Sequence, residues 1–472
     1  MRIFIHLLLP AFLILFSCQQ QNTEKRGDDL KVGVSVFDMT PPTGYLVHKV
    51  KSDGVLDSLE IKTMVFSQSD RTGALVMADL FYIPLELSDL IRREAAEQTG
   101  IPVSNICLAA THTHADPTCY GEMEDYISKM GSSLIPNEGN YAYVAQLIQK
   151  IVYSIVEAQK NLKPVLLRSG FAQVDGLAFN RRHLMKDGTV RMNGGFLNPD
   201  IVRTVGPVDN ELGIILFDDK HDKTAFASFT TFAMQLATIG NTTKFSSGFP
   251  HFLEQELQKY FGNDFLSVFG EGPCADVNHW DITKPGPQTG YEEVTSSIGR
   301  KLATGFLQET PKLERMNEIF KVSSKVVNVP LQTYSDMDLE WVVSHKDSIT
   351  PAIVQARIKK ILSLQKLIKK YGDTLPLEIQ VFMFNEETAI VALPGQIFVE
   401  LGLALKRDSP FKNTLILTLA NSHEECIPLR KAFPEGSYEI VYSLIDSGGG
   451  EILIEKALSL LNEVKTNKTN SY

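Results

Sequence analysis

A strand–helix–strand pattern near the amino terminus most constrains the fold. Ala74–Leu80 and Ile106–Ala110 are apolar runs of strand length, and Leu85–Thr99 between them has helical spacing and is followed by Gly100. A glycine directly after the last turn is typical of a helix end, because glycine adopts the left-handed conformation without strain. Two strands joined through a helix form a parallel pair with a right-handed crossover. The pattern therefore predicts an α/β domain.

Two histidines follow the carboxyl end of the second strand. His112 and His114 are two residues apart, so an extended chain places both imidazoles on the same side. Open α/β sheets bind ligands at the carboxyl ends of strands, and imidazole is the commonest side-chain metal ligand. The pair predicts a ligand or metal site. The alternative is that two polar residues cap a strand end.

Four further loops carry polar groups where apolar runs end. They contain Asn180 with Arg181, Asp276 with Asn278, Gln396, and His423 with Cys426. In a single α/β unit such loops converge on one pocket, although ordinary turn chemistry explains any one loop alone. The chain has no glycine-rich phosphate loop, no HExxH motif and no GxSxG motif.

The first residues are typical of an export signal. Arg2 precedes the apolar run Ile3–Phe16, which is too short to predict a transmembrane span, and the run ends in Leu-Phe-Ser-Cys at Cys18. This ending resembles a bacterial lipobox, so we expect cleavage before Cys18 and lipidation of its thiol. An ordinary secretory peptide or a short anchor is the alternative. The expected location is the bacterial cell envelope, either periplasmic or at the cell surface.

The rest of the chain shows no convincing break in composition. We expect a signal peptide at 1–17, a lipidated tether at 18–29, one large domain at 30–465 and a polar tail at 466–472. The formal net charge of −10 argues against a nucleic-acid partner, because such proteins concentrate basic charge. The four cysteines after Cys18 form no CxxC motif, so we expect buried thiols or site residues, with a Cys107–Cys119 disulfide as the alternative.

Eight stretches in collinear order resemble the catalytic domain of the neutral/alkaline (non-lysosomal) ceramidases. They read VGVSVFDMTPPTG, ATHTHADP, FNRRHLMKDG, GPVDNELGIILFDD, TIGNTTKFSSGFPHFLEQEL, GEGPCADVNHWD, ALPGQIFVELG and IPLRKAFPEGSYEI. The resemblance runs from about Val32 to Leu461. It implies a single large α/β domain with mixed β-sheets and flanking helices. It also implies that the carboxy-terminal immunoglobulin-like domain of full-length ceramidases is absent.

The resemblance also implies a site. The family hydrolyses the amide bond of ceramide with one zinc ion, which is held by two histidines, a glutamate and a tyrosine. Zinc polarises a carbonyl and lowers the pKa of bound water. His112 matches the first zinc histidine, His114 the second histidine of that motif, and Arg181 the arginine that contacts substrate. Asp276 and Asn278 lie in the loop that completes the family's catalytic site.

Three of the four implied zinc ligands are replaced. Gln235 stands in place of the second zinc histidine, Gln396 in place of the glutamate and Cys426 in place of the tyrosine. Near the site, Gly248 replaces an aspartate and Asn278 a serine. Glutamine is a weak, neutral oxygen ligand and lacks the negative charge that offsets Zn²⁺. We therefore expect zinc-dependent amide hydrolysis to be impaired or lost.

Three functions are compatible with these residues. In the first, a ceramidase-like scaffold without zinc hydrolysis binds a lipid, glycan or amide ligand, or a partner protein, in the old pocket. In the second, an active hydrolase of ceramide or another amide has a rearranged metal site drawn from His112, His114, His423 and Cys426, with Glu424, Glu425 or Asp116 nearby in sequence. In the third, Cys274 or Cys426 is a nucleophile with a histidine base. The loss of three ligands favours the first.

Overall fold

The computed structural model describes residues 28–47, 50–129, 142–346, 351–422 and 425–466. The predicted signal peptide, Cys18 with most of the tether, His423, and residues 467–472 of the polar tail lie outside these ranges. Within the described ranges no helix is long and apolar enough to span a membrane.

The described segments form strands and helices with the following bounds. The strands are β1 Lys31–Asp38, β2 Leu46–Val47, β3 Val50–Lys51, β4 Gly54–Val55, β5 Glu60–Gln68, β6 Arg71–Ala78, β7 Ile106–Ala110, β8 Lys163–Gln173, β9 Phe179–Asn180, β10 Arg182–Met185, β11 Val190–Met192, β12 Ile201–Thr204, β13 Glu211–Asp219, β14 Ala225–Phe232, β15 Lys244–Phe245, β16 Leu266–Glu271, β17 Val277–Asn278, β18 Glu314–Arg315, β19 Lys321–Pro330, β20 Thr374–Asn385, β21 Thr388–Ala392, β22 Gln396–Ile397, β23 Asn413–Leu417 and β24 Cys426–Ile427. The helices are α1 Leu85–Thr99, α2 Tyr120–Lys129, α3 Ala142–Lys160, α4 Phe249–Phe261, α5 Ser296–Glu309, α6 Asp336–His345, α7 Ala352–Tyr371, α8 Val399–Asp408, α9 Tyr438–Val441 and α10 Gly449–Thr466.

The larger sheet runs in the order β16-β14-β13-β8-β1-β5-β6-β7, with β18 added beside β8. Its pairs are antiparallel except β14 with β16 and β6 with β7. Helix α1 connects β6 to β7 and ends at Gly100, whose φ of 73° is left-handed. The predicted strand–helix–strand unit with a parallel pair is therefore confirmed.

The smaller sheet runs in the order β19-β20-β21-β23, and β21 is parallel to β23. A bridge between Ala109 and Ala420 joins its end to β7 of the larger sheet. The two sheets face each other across an apolar core rich in phenylalanine. Phe66 lies at its centre, with ring centroids 5.7 Å from Phe320 and 4.9 Å from Phe384. Burial of aromatic surface on this scale stabilises the pairing of the two sheets.

Helices cover the outer faces of both sheets. On the larger sheet, α1 and α3 pack over one half and α4 and α5 over the other. On the smaller sheet, α8 and α10 form the outer layer. Helix α3 passes so close to β1 that a Cβ on Gly33 would lie 1.9 Å from the Ala158 carbonyl oxygen. The predicted α/β domain with mixed sheets and flanking helices is therefore confirmed. Its elements form four layers, with the two sheets in the middle and helices on either side.

Two details of the sequence interpretation need correction. The strand predicted at Ala74–Leu80 is Arg71–Ala78, and it pairs with β5, which the sequence analysis did not predict. Cys107 and Cys119 are free, so the alternative of a disulfide between them is wrong. Cys274 and Cys426 are free as well, and all four thiols are buried.

Candidate ligand-binding site

A cavity of about 280 Å³ lies where the parallel strands of both sheets end. It follows the carboxyl ends of β7, β14, β21 and β23, in agreement with the general position of sites in α/β proteins. Of the eight residues assigned to catalytic or metal-binding positions from the sequence, the cavity brings together seven, namely His112, His114, Arg181, Gln235, Asn278, Gln396 and Cys426. Asp276 is not part of its lining. Loops far apart in sequence therefore converge on one pocket, as predicted.

His112 is held rigidly at the end of β7. Its φ of 64° is left-handed, and its backbone N–H donates to the Leu80 carbonyl at 3.0 Å. The imidazole Nδ1 lies 2.7 Å from the Phe81 carbonyl oxygen and the ring stacks on Phe81 at 4.1 Å. Because a carbonyl oxygen only accepts, Nδ1 carries the proton and Nε2 the lone pair. The His114 ring stands edge-on at 5.3 Å.

A chain of hydrogen bonds connects Arg181 with Gln235 and Gln396, two residues predicted to stand in place of zinc ligands. Gln235 Nε2 donates to Gln396 Oε1 at 3.1 Å, and Arg181 Nη1 donates to Gln235 Oε1 at 2.9 Å. Both glutamines are buried, with 4% and 8% of their surfaces exposed. Both amide oxygens are therefore already bonded to N–H donors, and a guanidinium cation is one of those donors. Gln396 also pairs in register with Cys426, since β22 and β24 are parallel neighbours.

A buried ion cluster anchors Arg181. Its Nε donates to Glu439 Oε1 at 2.9 Å, and Arg182 Nη1 donates to Glu439 Oε2 at 2.7 Å. Arg182 also reaches Glu435 at 3.0 Å. Glu439 is fully buried, so its charge is stabilised only because both guanidinium groups share it. The sequence analysis did not single out Glu439, although an acid inside the apolar segment Tyr438–Val441 is an unusual residue there.

Asp276 lies behind the cavity, where it holds neighbouring elements together. It accepts from Asn180 Nδ2 at 2.7 Å and from the backbone N–H of Val399 at 2.9 Å, at the start of α8. Burial raises the pKa of this carboxyl to about 6. The predicted catalytic partner Asn278 does line the cavity, and its Nδ2 donates to Asn193 Oδ1 at 2.9 Å. Asp276 is thus placed to position the loop and does not face the cavity.

The two thiols considered as nucleophiles differ in position. Cys426 lines the cavity, whereas Cys274 is not part of the lining. Burial raises the pKa of both thiols above their ordinary value. Nucleophilic cysteines need the thiolate, so this environment disfavours the third function.

Aromatic side chains that the sequence analysis did not single out form much of the cavity wall. They are Phe81, Tyr82, Trp280, Tyr438 and Tyr442. Tyr438 and Tyr442 sit one helical turn apart on and after α9, with ring centroids 4.2 Å apart. The i, i+4 spacing of these two tyrosines could have predicted from the sequence that their rings pair on one face of a helix.

The residues at the family's ligand positions do not fit a zinc ion. The described residues contain no group of three or more histidine, cysteine, aspartate or glutamate side chains placed to hold a metal. The uncharged amides of Gln235 and Gln396 stand where the resemblance predicts a histidine and a carboxylate, and each amide oxygen accepts a hydrogen bond. Zinc sites are built from histidine, thiolate and carboxylate ligands. We therefore derive no reaction step through zinc.

Two solved structures share this architecture. A neutral ceramidase from Pseudomonas aeruginosa superposes with a TM-score of 0.69 at 16% identity, covering 93% of this chain and 76% of the other. A ceramidase complexed with C2 gives a TM-score of 0.67 at 14% identity, with the same coverage. No family model and no curated protein sequence matches the chain. The layers and the strand-end pocket thus define a mixed α/β domain. Its fold is that of the neutral ceramidases.

His279, at the rim of this site, predicts a specific pH dependence. It is 6% exposed and burial lowers the pKa of its imidazole from 6.5 to about 4. As the pH falls, His279 therefore binds a proton in the unfolded chain before it does so in the folded chain. Proton binding to the unfolded chain lowers the free energy of unfolding, and this loss develops as the pH falls from 6.5 towards 4. His279→Gln should remove this loss, which has a slope of at most about 1.4 kcal/mol per pH unit.

Urea unfolding of both proteins across this pH range measures the effect. The stability of wild type relative to His279→Gln should fall steadily as the pH is lowered, and parallel curves for the two proteins would contradict the prediction. His221→Gln, on an exposed turn, controls for the loss of an imidazole as such.

Proposed function

We propose that this protein is an exported, lipid-anchored binding protein that holds a lipid, glycan or amide ligand in a ceramidase-type pocket and does not hydrolyse it with zinc. One observation carries the proposal: Gln235 and Gln396, at two predicted zinc-ligand positions, are hydrogen-bonded to each other, and Gln235 also accepts a hydrogen bond from Arg181. The fold supports a hydrolase ancestry, while the side chains at its centre support binding.

The anchor is the lipidated Cys18 in the bacterial cell envelope, and Cys18→Ser should release the protein from membranes.

The electrostatics of the centre support this proposal. For Gln235 or Gln396 to coordinate a metal, its amide oxygen would have to give up a hydrogen bond in a buried site, at a cost of about 1–3 kcal/mol each. The incoming dication would also stand near the Arg181 guanidinium with no anionic ligand from either glutamine. Repulsion between like charges is strong where water is excluded. A neutral ligand meets neither penalty.

The second candidate is an active hydrolase of ceramide or another amide with a rearranged metal site. It is favoured by one observation, that His112, His114 and Cys426 line the same cavity and that the two rings are 5.3 Å apart. His423, the further ligand considered from the sequence, lies outside the described residues.

Metal analysis of the purified protein, with hydrolysis assayed alongside, separates the two candidates. The samples are wild type, His112→Ala, and His221→Ala as an exposed control, each assayed with ceramide and with short N-acyl amides. We expect substoichiometric zinc and no turnover in all three. Stoichiometric metal with turnover that only His112→Ala abolishes would overturn the proposal and establish the second candidate.

A further inference from the structure

The charges around the cavity cancel. Arg181 is paired with Glu439 at 2.9 Å, and Lys359, at the mouth, is paired with Glu425 at 3.1 Å. Arg181 and Lys359, the two cationic side chains among the described residues of the lining, are thus compensated by carboxylates. A charged ligand would lose its hydration without gaining an unpaired counter-charge, which is unfavourable. The cavity therefore favours an uncharged ligand.

Aromatic side chains from three segments of the chain line the cavity. Phe81 and Tyr82 follow β6, Trp280 follows β17, and Tyr438 and Tyr442 belong to the α9 segment. Aromatic rings offer broad apolar faces and, in tyrosine and tryptophan, a polar edge. Such walls accept a ligand that is itself flat and apolar on its faces and polar around its rim.

Several polar atoms of the lining have no hydrogen-bond partner among the described residues. Gln396 Nε2 and Asn193 Nδ2 donate to none of them, since both side chains form their hydrogen bonds through their oxygens. Trp280 Nε1 and His279 Nδ1 are buried without a partner. His279 Nε2 lies 2.7 Å from the Gln288 carbonyl oxygen, so Nε2 carries the proton and Nδ1 is an acceptor. The cavity thus combines three donors with an acceptor.

We infer that the cavity binds an uncharged polyhydroxylated ring, the chemistry of a neutral sugar. A hydroxyl group both donates and accepts, so a ring of hydroxyls matches this mixture of polar atoms, while the C–H faces of the ring pack on the aromatic walls. A volume of about 280 Å³ is small for a ligand pocket, and it suits one such ring. The inference rests on the proposed function, because it requires a cavity whose centre holds amides and no zinc.

Tryptophan fluorescence reports on binding at this cavity directly. The chain has two tryptophans, and Trp341→Phe leaves Trp280 as the single reporter. This protein is titrated with neutral hexoses and N-acetylhexosamines, and with the matching uronic acids. We expect a neutral sugar to bind saturably. Its uronic acid should bind more weakly by about tenfold or more, because burying the carboxylate without a free counter-charge costs affinity, and about 1.4 kcal/mol corresponds to tenfold. Vesicles with glucosylceramide or ceramide test whether the ring is recognised free or as a lipid head group.

Gln396→Glu tests the role of the amide donor. It keeps the shape of the side chain and replaces its N–H donors with a carboxylate, so neutral-sugar binding should weaken by about tenfold or more. Gln255→Glu makes the same change on the exposed face of α4 and should leave binding unchanged.

The possible outcomes separate this inference from the proposed function. Equal binding of neutral sugar and uronic acid, tighter binding of a hydroxyl-free N-acyl amide, or no neutral-sugar binding at millimolar concentration would overturn the inference and leave the proposed function standing. Stoichiometric zinc with hydrolysis would overturn the proposed function itself.

Discussion

The variant Gln235→His/Gln396→Glu/Cys426→Tyr is expected to bind one zinc ion per chain with an affinity higher than that of wild type by about a thousandfold or more. The reason is that His112 already presents Nε2 as a lone-pair donor. The three changes add an imidazole, a carboxylate and a phenol at the positions where the family places its ligands. They also remove the Gln235–Gln396 hydrogen bond. Competition with a chromophoric chelator measures the affinity, and elemental analysis measures the stoichiometry.

The single variant Gln396→Glu is the matched control, because it supplies negative charge without the other ligands. It should bind zinc far more weakly than the triple variant. A triple variant that folds, by its near-ultraviolet circular dichroism, and yet binds no zinc would show that the ligand positions are wrongly assigned. Ceramide hydrolysis is not expected to return with the metal, because Asn278 and Gly248 still stand where the resemblance predicts a serine and an aspartate.

Glu439→Gln should destabilise the folded protein by about 3–5 kcal/mol, because it leaves two buried guanidinium groups without their shared counter-charge. Arg181 and Arg182 are 7% and 2% exposed, and each donates to one oxygen of Glu439. Glutamine has the same shape as glutamate, so the change isolates the charge from the packing. Urea unfolding at neutral pH measures the loss.

Glu400→Gln is the matched control for this prediction. Glu400 pairs with Lys431 at 2.6 Å, yet both side chains are largely exposed, so the pair is worth about 0–1 kcal/mol. If Glu439→Gln and Glu400→Gln had equal free energies of unfolding, the buried ion cluster around Glu439 would not contribute to stability. A change in ligand binding without a loss of stability would contradict the prediction in the same way.

The strand order of the larger sheet was only partly predictable. The unit from β6 through α1 to β7 follows from local patterns, because apolar runs, helical spacing and Gly100 are short-range signals. The neighbouring strand β5 was missed, since Glu60 and Lys62 at its start break the apolar pattern of a buried strand. Lys62 is nevertheless only 12% exposed there, because Glu254 of α4 lies 2.5 Å from its ammonium group. A residue 192 positions away decides whether that lysine can be buried.

The same limit applies to the site. The sequence by itself determined which loops end strands and that the site keeps the imidazole of His112, and it predicted that Gln235, Gln396 and Cys426 stand in place of the family's other ligands. Only the tertiary structure decided what the replacements do. The hydrogen bond between Gln235 and Gln396 spans 161 residues, and the ion pair between Arg181 and Glu439 spans 258. Pairing across such separations is set by burial, because a desolvated polar group must find a partner wherever the fold brings one within reach.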